Sequence, residues 1–320
     1  MKQVESVVVR FSGDSGDGMQ ITGSQFSNTS ALMGNDIATF PDFPAEIRAP
    51  AGTIAGVSGF QVHIGALDIS TPGDEPDVLV AMNPAALKAN LRSLRKGGTI
   101  IVNLDAFNEL NLKKAGYEAN PLEGHELDGY QVIEAQITNQ TMEALADMDI
   151  DNKAKQRCKN FYALGMTYFI FGRDMNPTIN FLKEKFAKKP QVVEANEKAM
   201  RAGYNYAETI EASVSTYKVP AAEIEPGTYR AIGGNQGTAL GFILAAQKAN
   251  LNLFLGSYPI TPATDILHEL SKYKEFGVKT FQAEDEIAGI CSSIGAAYGG
   301  ALAITTTSGP GLALKGEALG

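Results

Sequence analysis

Two stretches near the end of the chain carry residues whose types and spacing could do chemistry. In "GSYPITPATDILHEL" (256–270), Tyr258, Pro259, Ile260, Thr261 and Pro262 directly follow an apolar run. Both prolines remove backbone donors and stiffen the turn, so the Thr261 hydroxyl is held out for a ligand. The plainer reading is an ordinary proline-stiffened turn. In "KTFQAEDEIAGICSSIGAAYGGALAITTTSGPG" (279–311), Glu284, Asp285 and Glu286 arrive at the start of a helix, where the backbone dipole favours negative charge. Acids in first turns are common caps, so the helix behind them is the stronger signal. It is built from Ala288, Gly289, Ser292, Ser293, Gly295, Ala296, Ala297, Gly299 and Gly300. Glycine inside a helix costs up to ~1 kcal/mol relative to alanine, and close approach of another backbone is the usual reason for it. A carboxylate heading such a helix has the makings of a buried acid.

A third stretch, "FSGDSGDGMQITG" (11–23), follows the apolar run Val7 to Val9 and suggests a loop that holds a phosphate or a metal. A P-loop is excluded because no Lys-Ser/Thr pair follows the glycines. The dinucleotide fingerprint fails because Gln20 and Ile21, not a third glycine, follow Gly16 and Gly18. Asp14 and Asp17 alone are too few for calcium. What remains is a turn through Gly13, Gly16, Asp17 and Gly18 opening onto a helix N-terminus, which can receive an anionic group.

The elements that must position these residues alternate β and α. Candidate strands are "SVVVRF" (6–11), "FQVHIG" (60–65), "DVLVAMN" (77–83), "GTIIVNL" (98–104) and "YQVIEAQI" (130–137). Between two of them Asn83 caps a helix, Pro84 fits its first position, Leu87, Leu91 and Leu94 recur at helical spacing, and "KGG" (96–98) ends it. Strand, helix, strand at this spacing implies a parallel sheet of the α/β class. Three helices follow: "CKNFYALGMTYFIFG" (158–172), apolar nearly all round and expected to be buried; "NPTINFLKEKFAKK" (176–189), expected to be capped at Asn176; and a stretch over 194–210. Residues 211–228, with Pro220, Pro226 and Gly227 and no apolar period, suit a linker between a domain over 1–210 and one over 229–320. The second domain opens as strand, Gly-rich turn and helix over 229–250, then the strand "LNLFLGS" (251–257). The chain ends at "LKGEALG" (314–320), early in a domain whose parallel sheet would normally want more, which suggests a truncated product or a sheet completed elsewhere.

At 320 residues the chain exceeds the ~250–300 at which single cores stop growing, which favours two domains. Apolar residues make up 44% and charged residues 20%, enough for a packed globular core. A net charge of -9 argues against nucleic-acid binding, and the short basic cluster "KFAKK" (185–189) does not reverse that. No apolar run reaches the ~18–20 residues a bilayer demands, so a cytoplasmic protein without membrane contact is expected. Cys158 and Cys291 are too few to ligate an iron–sulfur cluster or structural zinc, and both are expected to be small buried hydrophobes. His63, His125 and His268 share no metal-ligand spacing, and "DMDID" (147–151) lacks the Gly and distal Glu of a calcium loop, so no metal site is expected in this chain.

Together "YPITPATD", Glu286 with Gly295, and "TTTSGPG" (305–311) resemble the pyrimidine-binding domain of 2-oxoacid:ferredoxin oxidoreductases. "GGNQGTALG" (233–241) is similar to the 2-oxoglutarate branch of the alpha subunit. "FSGDSGDGMQITG" and "FPAEIRAPAGTIAGVSGFQVHIG" (43–65) resemble the gamma domain that this branch fuses ahead of alpha. The resemblance thus covers essentially the whole chain. It implies a Rossmann-like gamma domain followed by the first part of a doubly wound, parallel thiamine diphosphate pyrimidine-binding domain.

The reaction it implies is oxidative decarboxylation of 2-oxoglutarate with coenzyme A, giving succinyl-CoA, CO2 and electrons for ferredoxin. In this family a glutamate hydrogen-bonds the aminopyrimidine ring nitrogen, and Glu286 matches it by its spacing to Gly295, with Glu284 as the alternative. Thr261 matches the threonine at the reacting end, and Tyr258, Pro259, Ile260, Pro262, Thr307, Ser308 and Gly309 would line the cofactor pocket. Gly13, Gly16, Asp17, Gly18 and Arg48 would face CoA or another subunit. The "GDG" at 16–18 mimics the cofactor's metal motif, yet no asparagine stands in the window that motif needs. Mg²⁺ and a 4Fe–4S cluster are therefore assigned by the resemblance to a beta subunit that shares the thiamine diphosphate, within a homo- or hetero-oligomer. The same reaction on pyruvate or a branched-chain 2-oxoacid stays open, as does a non-catalytic nucleotide- or CoA-binding module.

Overall fold

The computed structural model describes residues 2–44, 49–210 and 216–320, and Arg48 lies outside them. The chain divides into two compact units, Met1–Pro226 and Gly227–Gly320.

The first unit runs β1 (Lys2–Gln3), β2 (Ser6–Asp14), α1 (Met19–Leu32), β3 (Asp36–Asp42), β4 (Val57–Gly65), β5 (Val78–Ala81), α2 (Pro84–Asn90), β6 (Thr99–Asn103), α3 (Glu109–Lys114), β7 (Gln131–Ala135), α4 (Ile137–Ala144), α5 (Asn152–Arg157), α6 (Lys159–Ile170), α7 (Asn176–Lys185), α8 (Pro190–Thr209) and β8 (Tyr217–Lys218). Its main sheet has the order β3-β4-β2-β5-β6-β7. β2, β5, β6 and β7 pair in parallel. "VLVA" and "TIIVN" are buried throughout, as befits strands covered on both faces. Asn83 caps α2 by accepting from Ala86 N at 2.8 Å, with Pro84 at the first helical position.

The sheet is not uniformly parallel. β4 runs antiparallel to both β2 and β3, and β3, "DIATFPD", forms where no strand was expected. At α7 the cap is also not as expected: Asp174 accepts from Asn176 N at 3.0 Å, and Asn176 is the first helical residue. The expected buried helix is α6, which crosses α8 at Gly165 and Gly203 with almost no separation. A Cβ added at Gly165 would lie 1.9 Å from Met200 O, and one at Gly203 2.0 Å from Tyr162 O.

Residues 211–215 are outside the described part, but the rest of the presumed linker is partly packed. β8 pairs in parallel with β1, the Tyr217 ring stacks on Phe171 at 5.2 Å, and Asn35 Nδ2 donates to Pro220 O at 2.6 Å. Tyr217 and Val219 join the core of the first unit.

The second unit runs α9 (Gly234–Ala249), β9 (Leu253–Ser257), α10 (Thr264–Leu270), β10 (Val278–Gln282), α11 (Glu286–Tyr298), β11 (Leu302–Ile304), α12 (Gly311–Leu314) and α13 (Gly316–Leu319). Its parallel sheet has the order β10-β9-β11. The strand expected at the start of 229–250 does not form; residues 229–233 are exposed and irregular. The core is Ala239, Ile243, Ala246, Leu253, Leu255, Ile266, Leu267, Leu270 and Val278. No helix among the described residues is long and apolar enough to cross a membrane.

Candidate active site

Tyr258 to Pro262 follow β9, Thr307 to Gly309 follow β11, and Glu284 to Glu286 follow β10, all at the carboxyl edge where parallel sheets bind ligands. Tyr258 leaves β9 buried, and its hydroxyl is 2.8 Å from Thr307 Oγ1. The turn after it is tied by Ile260 N donating to Thr264 Oγ1 at 2.7 Å. Ser308 Oγ donates to Thr261 O at 2.7 Å, joining that turn to the loop after β11. Beneath them Ser257 Oγ and Thr306 Oγ1 share a buried hydrogen bond of 2.7 Å. Thr261, Pro259 and Gly309 are exposed, while Ile260, Pro262, Thr307 and Ser308 are half-buried.

The three acids at the head of α11 separate by role. Asp285 is the cap, accepting from Ala288 N at 2.8 Å. Glu284 is exposed. Glu286 is half-buried and lies close enough to Tyr258 and Lys315 to act on the charge of both. Burial first, and Glu286 after it, push the Tyr258 hydroxyl above the ordinary tyrosine range, against the Thr307 hydrogen bond. α11 is held close by small residues: a Cβ on Gly256 would stand 2.3 Å from Ser292 Oγ and 2.5 Å from Gly289 O. Ser293 Oγ donates to Ile304 O at 2.7 Å. The close approach expected of the glycines is thus found at Gly289, but Gly295 and Gly300 face open space. Cys291 is exposed, not buried as expected, because it shares the outward face of α11 with Ile287, Ile294 and Tyr298; Cys158 is buried.

One residue was not singled out from sequence, and a second was read only as the end of "TTTSGPG". Lys315 is 2% exposed, with Nζ donating to Thr305 Oγ1 at 2.8 Å and to Thr306 O at 3.2 Å, 5.5 Å from the centre of the Tyr258 ring. Burial pulls its ammonium below the ordinary lysine range, and Glu286 opposes that shift. A lysine inside "GLALKGEALG" belongs to no motif; its one signal was its place after "TTTSGPG". The second is Gly311, where a Cβ would meet Thr307 Oγ1 at 1.9 Å and the Tyr258 hydroxyl at 2.6 Å.

In the first unit, Gly13 to Gly18 close on themselves at the carboxyl end of β2. Asp17 accepts from Asp14 N at 3.0 Å and pairs with Lys159 at 2.8 Å, while Asp14 accepts from Gly52 N at 3.0 Å. Burial chiefly raises the Asp14 carboxyl above the usual carboxylate range. Gly18, at φ 74°, caps α1, and Gly16 is exposed. No side chain caps α1 with a hydrogen bond. Among the described residues no group of three His, Cys, Asp or Glu side chains stands close enough to hold a metal ion.

Comparison with known proteins accounts for this arrangement. The family model described as "Pyruvate ferredoxin/flavodoxin oxidoreductase" matches residues 8–206. This chain belongs to that family. The model "Pyruvate flavodoxin/ferredoxin oxidoreductase, thiamine diP-bdg" matches residues 245–320, the segment that carries Tyr258, Glu286, Thr307 and Lys315. The chain is 57% identical over 319 residues to the 2-oxoglutarate oxidoreductase subunit KorA of Mycobacterium tuberculosis, covering 100% of this chain and 49% of that relative. It is 25% identical over 341 residues to the 2-oxoacid:ferredoxin oxidoreductase subunit alpha of a Sulfolobus species, covering 96% of this chain and 51% of that one. The solved 2-oxoglutarate:ferredoxin oxidoreductase of Magnetococcus marinus, with 2-oxoglutarate, coenzyme A and succinyl-CoA bound, superposes with a TM-score of 0.73 at 28% identity. That match covers 99% of this chain and 50% of the solved one. The chain thus spans about half the length of these relatives.

Proposed function

We propose that this chain supplies the pyrimidine-binding side of a thiamine diphosphate site in a 2-oxoglutarate:ferredoxin oxidoreductase. The reaction is 2-oxoglutarate plus CoA to succinyl-CoA and CO2, with two electrons passed to ferredoxin. The observation that carries this reading is the half-buried Glu286 at the head of α11, directed at the Tyr258, Thr307 and Lys315 cluster on the sheet's carboxyl edge. This donor set fits an aminopyrimidine: a carboxyl placed to share a proton with a ring nitrogen, beside hydroxyls and an aromatic face. When bound, thiamine diphosphate supplies the carbanion and the electron sink for decarboxylation.

This chain's residues bind and control protons. Glu286 holds the proton at the ring nitrogen, and Glu284, exposed, does not. Thr261 presents its exposed hydroxyl to the reacting end, with its carbonyl fixed by Ser308. Tyr258 and Thr307, joined through their hydroxyls, would line the cofactor pocket together with Pro259, Ile260, Pro262, Ser308 and Gly309. The choice of 2-oxoglutarate over pyruvate or a branched-chain acid is supported by the mycobacterial and Magnetococcus relatives. Mg²⁺ and the iron–sulfur cluster are assigned to a beta subunit, ferredoxin is the electron acceptor, and the assembly is cytoplasmic. The Gly13 to Gly18 turn, where Asp17 pairs with Lys159, is assigned to a contact with CoA or another subunit.

Glu286→Gln in the assembled oxidoreductase tests the reading. Loss of a positioned acid–base group predicts a fall of about 100-fold or more in 2-oxoglutarate-dependent ferredoxin reduction. Unchanged reduction would remove the thiamine assignment. Equal kcat/KM for pyruvate and 2-oxoglutarate in the unaltered enzyme would remove the substrate assignment alone.

A further inference from the structure

We propose that Met33 is a site of oxidative modification, whose sulfoxide is held by the buried guanidinium of Arg173. Both residues lie in the first unit, so the inference stands apart from the thiamine diphosphate reading. Arginine is almost never fully buried unless it is paired. Arg173, just past α6, is 4% exposed, and among the described residues no carboxylate forms a salt bridge with it. Its Nε and Nη2 are buried without a hydrogen-bond partner. What it does have is the Phe26 ring, centred 5.9 Å from the guanidinium carbon, and one weak acceptor: Nη1 donates to Met33 Sδ at 3.1 Å. Burial pulls the guanidinium down to about 10, so it still carries its charge at neutral pH. A cation with a thioether as its one acceptor is short of an oxygen.

Oxidation of Met33 supplies that oxygen. The residue directly follows α1 and is 44% exposed, the one exposed methionine among the described residues. Met19, Met82, Met166 and Met200 are buried, and Met142, Met148 and Met175 are half-buried. The oxidant is a hydroperoxide, with hydrogen peroxide the simplest. A sulfur lone pair attacks one peroxide oxygen, an S–O bond forms and the O–O bond breaks; sulfur gives up two electrons and the remainder of the peroxide leaves as water. In most packed surroundings the polar product is disruptive. Beside Arg173 it is not, because the sulfoxide oxygen carries partial negative charge and the guanidinium has nitrogens without partners. A charge-assisted hydrogen bond to oxygen replaces a weak one to sulfur and ties the end of α1 more firmly to the segment after α6. A sulfoxide reductase, drawing two electrons from a dithiol, restores the thioether and releases the oxygen as water.

The test exposes the assembled oxidoreductase to hydrogen peroxide without substrate and stops the reaction with catalase. Peptide mass spectra should show Met33 gaining one oxygen ahead of the buried and half-buried methionines. Hydrogen–deuterium exchange then reads the amides of Met33, Gly34 and Asn35, which close α1 by donating to Thr29 O, Ala31 O and Ser30 O. Oxidation should slow their exchange about tenfold, the effect of giving a charged donor a stronger acceptor. Met33→Gln, whose amide oxygen stands in for the sulfoxide, should slow it without peroxide, whereas Met33→Leu, with no acceptor, should speed it. Exchange that is unchanged or faster once Met33 is oxidised overturns the proposal, and so does oxidation of the half-buried methionines ahead of it. In Arg173→Met the same oxidation should bring no slowing; slowing that persists there takes the sulfoxide away from the guanidinium. Should Arg173→Met not assemble, the other pair decides, and equal exchange in Met33→Gln and Met33→Leu rejects the proposal.

Discussion

Gly311 leaves no room for even one methyl group, since a Cβ would collide with Thr307 Oγ1 and the Tyr258 hydroxyl together. Gly311→Ala should therefore part Tyr258 from Thr307 at a cost of about 1–3 kcal/mol. Its expected signature is weaker thiamine diphosphate binding by calorimetry, accompanied by a lower melting temperature. Asp14 allows a prediction with a sign. Burial raises its folded-state pKa, so the folded chain holds the proton more tightly than the unfolded one. Its contribution is fully present below the ordinary aspartate value of ~3.9 and is lost as pH rises through the elevated one. Asp14→Asn, which still accepts from Gly52 N, should flatten the stability profile between the ordinary and the elevated value, measured as urea midpoints against pH. Of the acids at 284–286, the sequence favoured Glu286 by its spacing to Gly295 and kept Glu284 as the alternative, but could not show how each would be turned. That depended on Asp285 turning back as the cap, which leaves Glu284 outside and Glu286 inward. Lys315 was invisible because burial of a lone lysine depends on contacts with Tyr258, Thr305 and Thr306, which no local pattern encodes.

At the scale of elements, β9 and α11 meet through Gly256 and Gly289, with Ser292 and Ser293 completing the contact. Gly256→Ala should push α11 off β9, displace Glu286 and lower the melting temperature of the second unit. At ~4–8 °C per kcal/mol for a unit of this size, a clash of 1–3 kcal/mol is readily seen by calorimetry. Restoration of wild-type melting would argue that α11 is not fixed by this contact. The buried strands β5 and β6 and the capped α2 were legible because their signals are local: unbroken apolar runs, and an Asn-Pro start. β3 was not, since "DIATFPD" is half-buried and polar, contains Pro41, and becomes a strand only by pairing with β4. The reversed direction of β4 was likewise hidden, because alternation in "FQVHIG" looks the same in either direction. At 229–233 the opposite error arose: strand-like residues stay exposed and irregular.

For the whole molecule, the two units have separate cores. Gly203→Ala, which would force α8 from α6, should lower the melting of the first unit and leave that of the second in place. A shift of both by the same amount would show that the units unfold as one. The division into two α/β units was legible from the repeated alternation of strands and helices, whereas the packing of Tyr217 and Val219 onto the first unit was not, because it depends on distant partners such as Phe171. The outward face of α11 has a practical consequence. Of the two cysteines, Cys158 is buried, with its thiol pushed up to about 11, while Cys291 lies exposed between Ile287 and Ile294. A maleimide dye should therefore attach at a single natural position without any engineering. Its rate of attachment, followed as partner subunits are added, would report directly whether assembly covers the helix that carries Glu286.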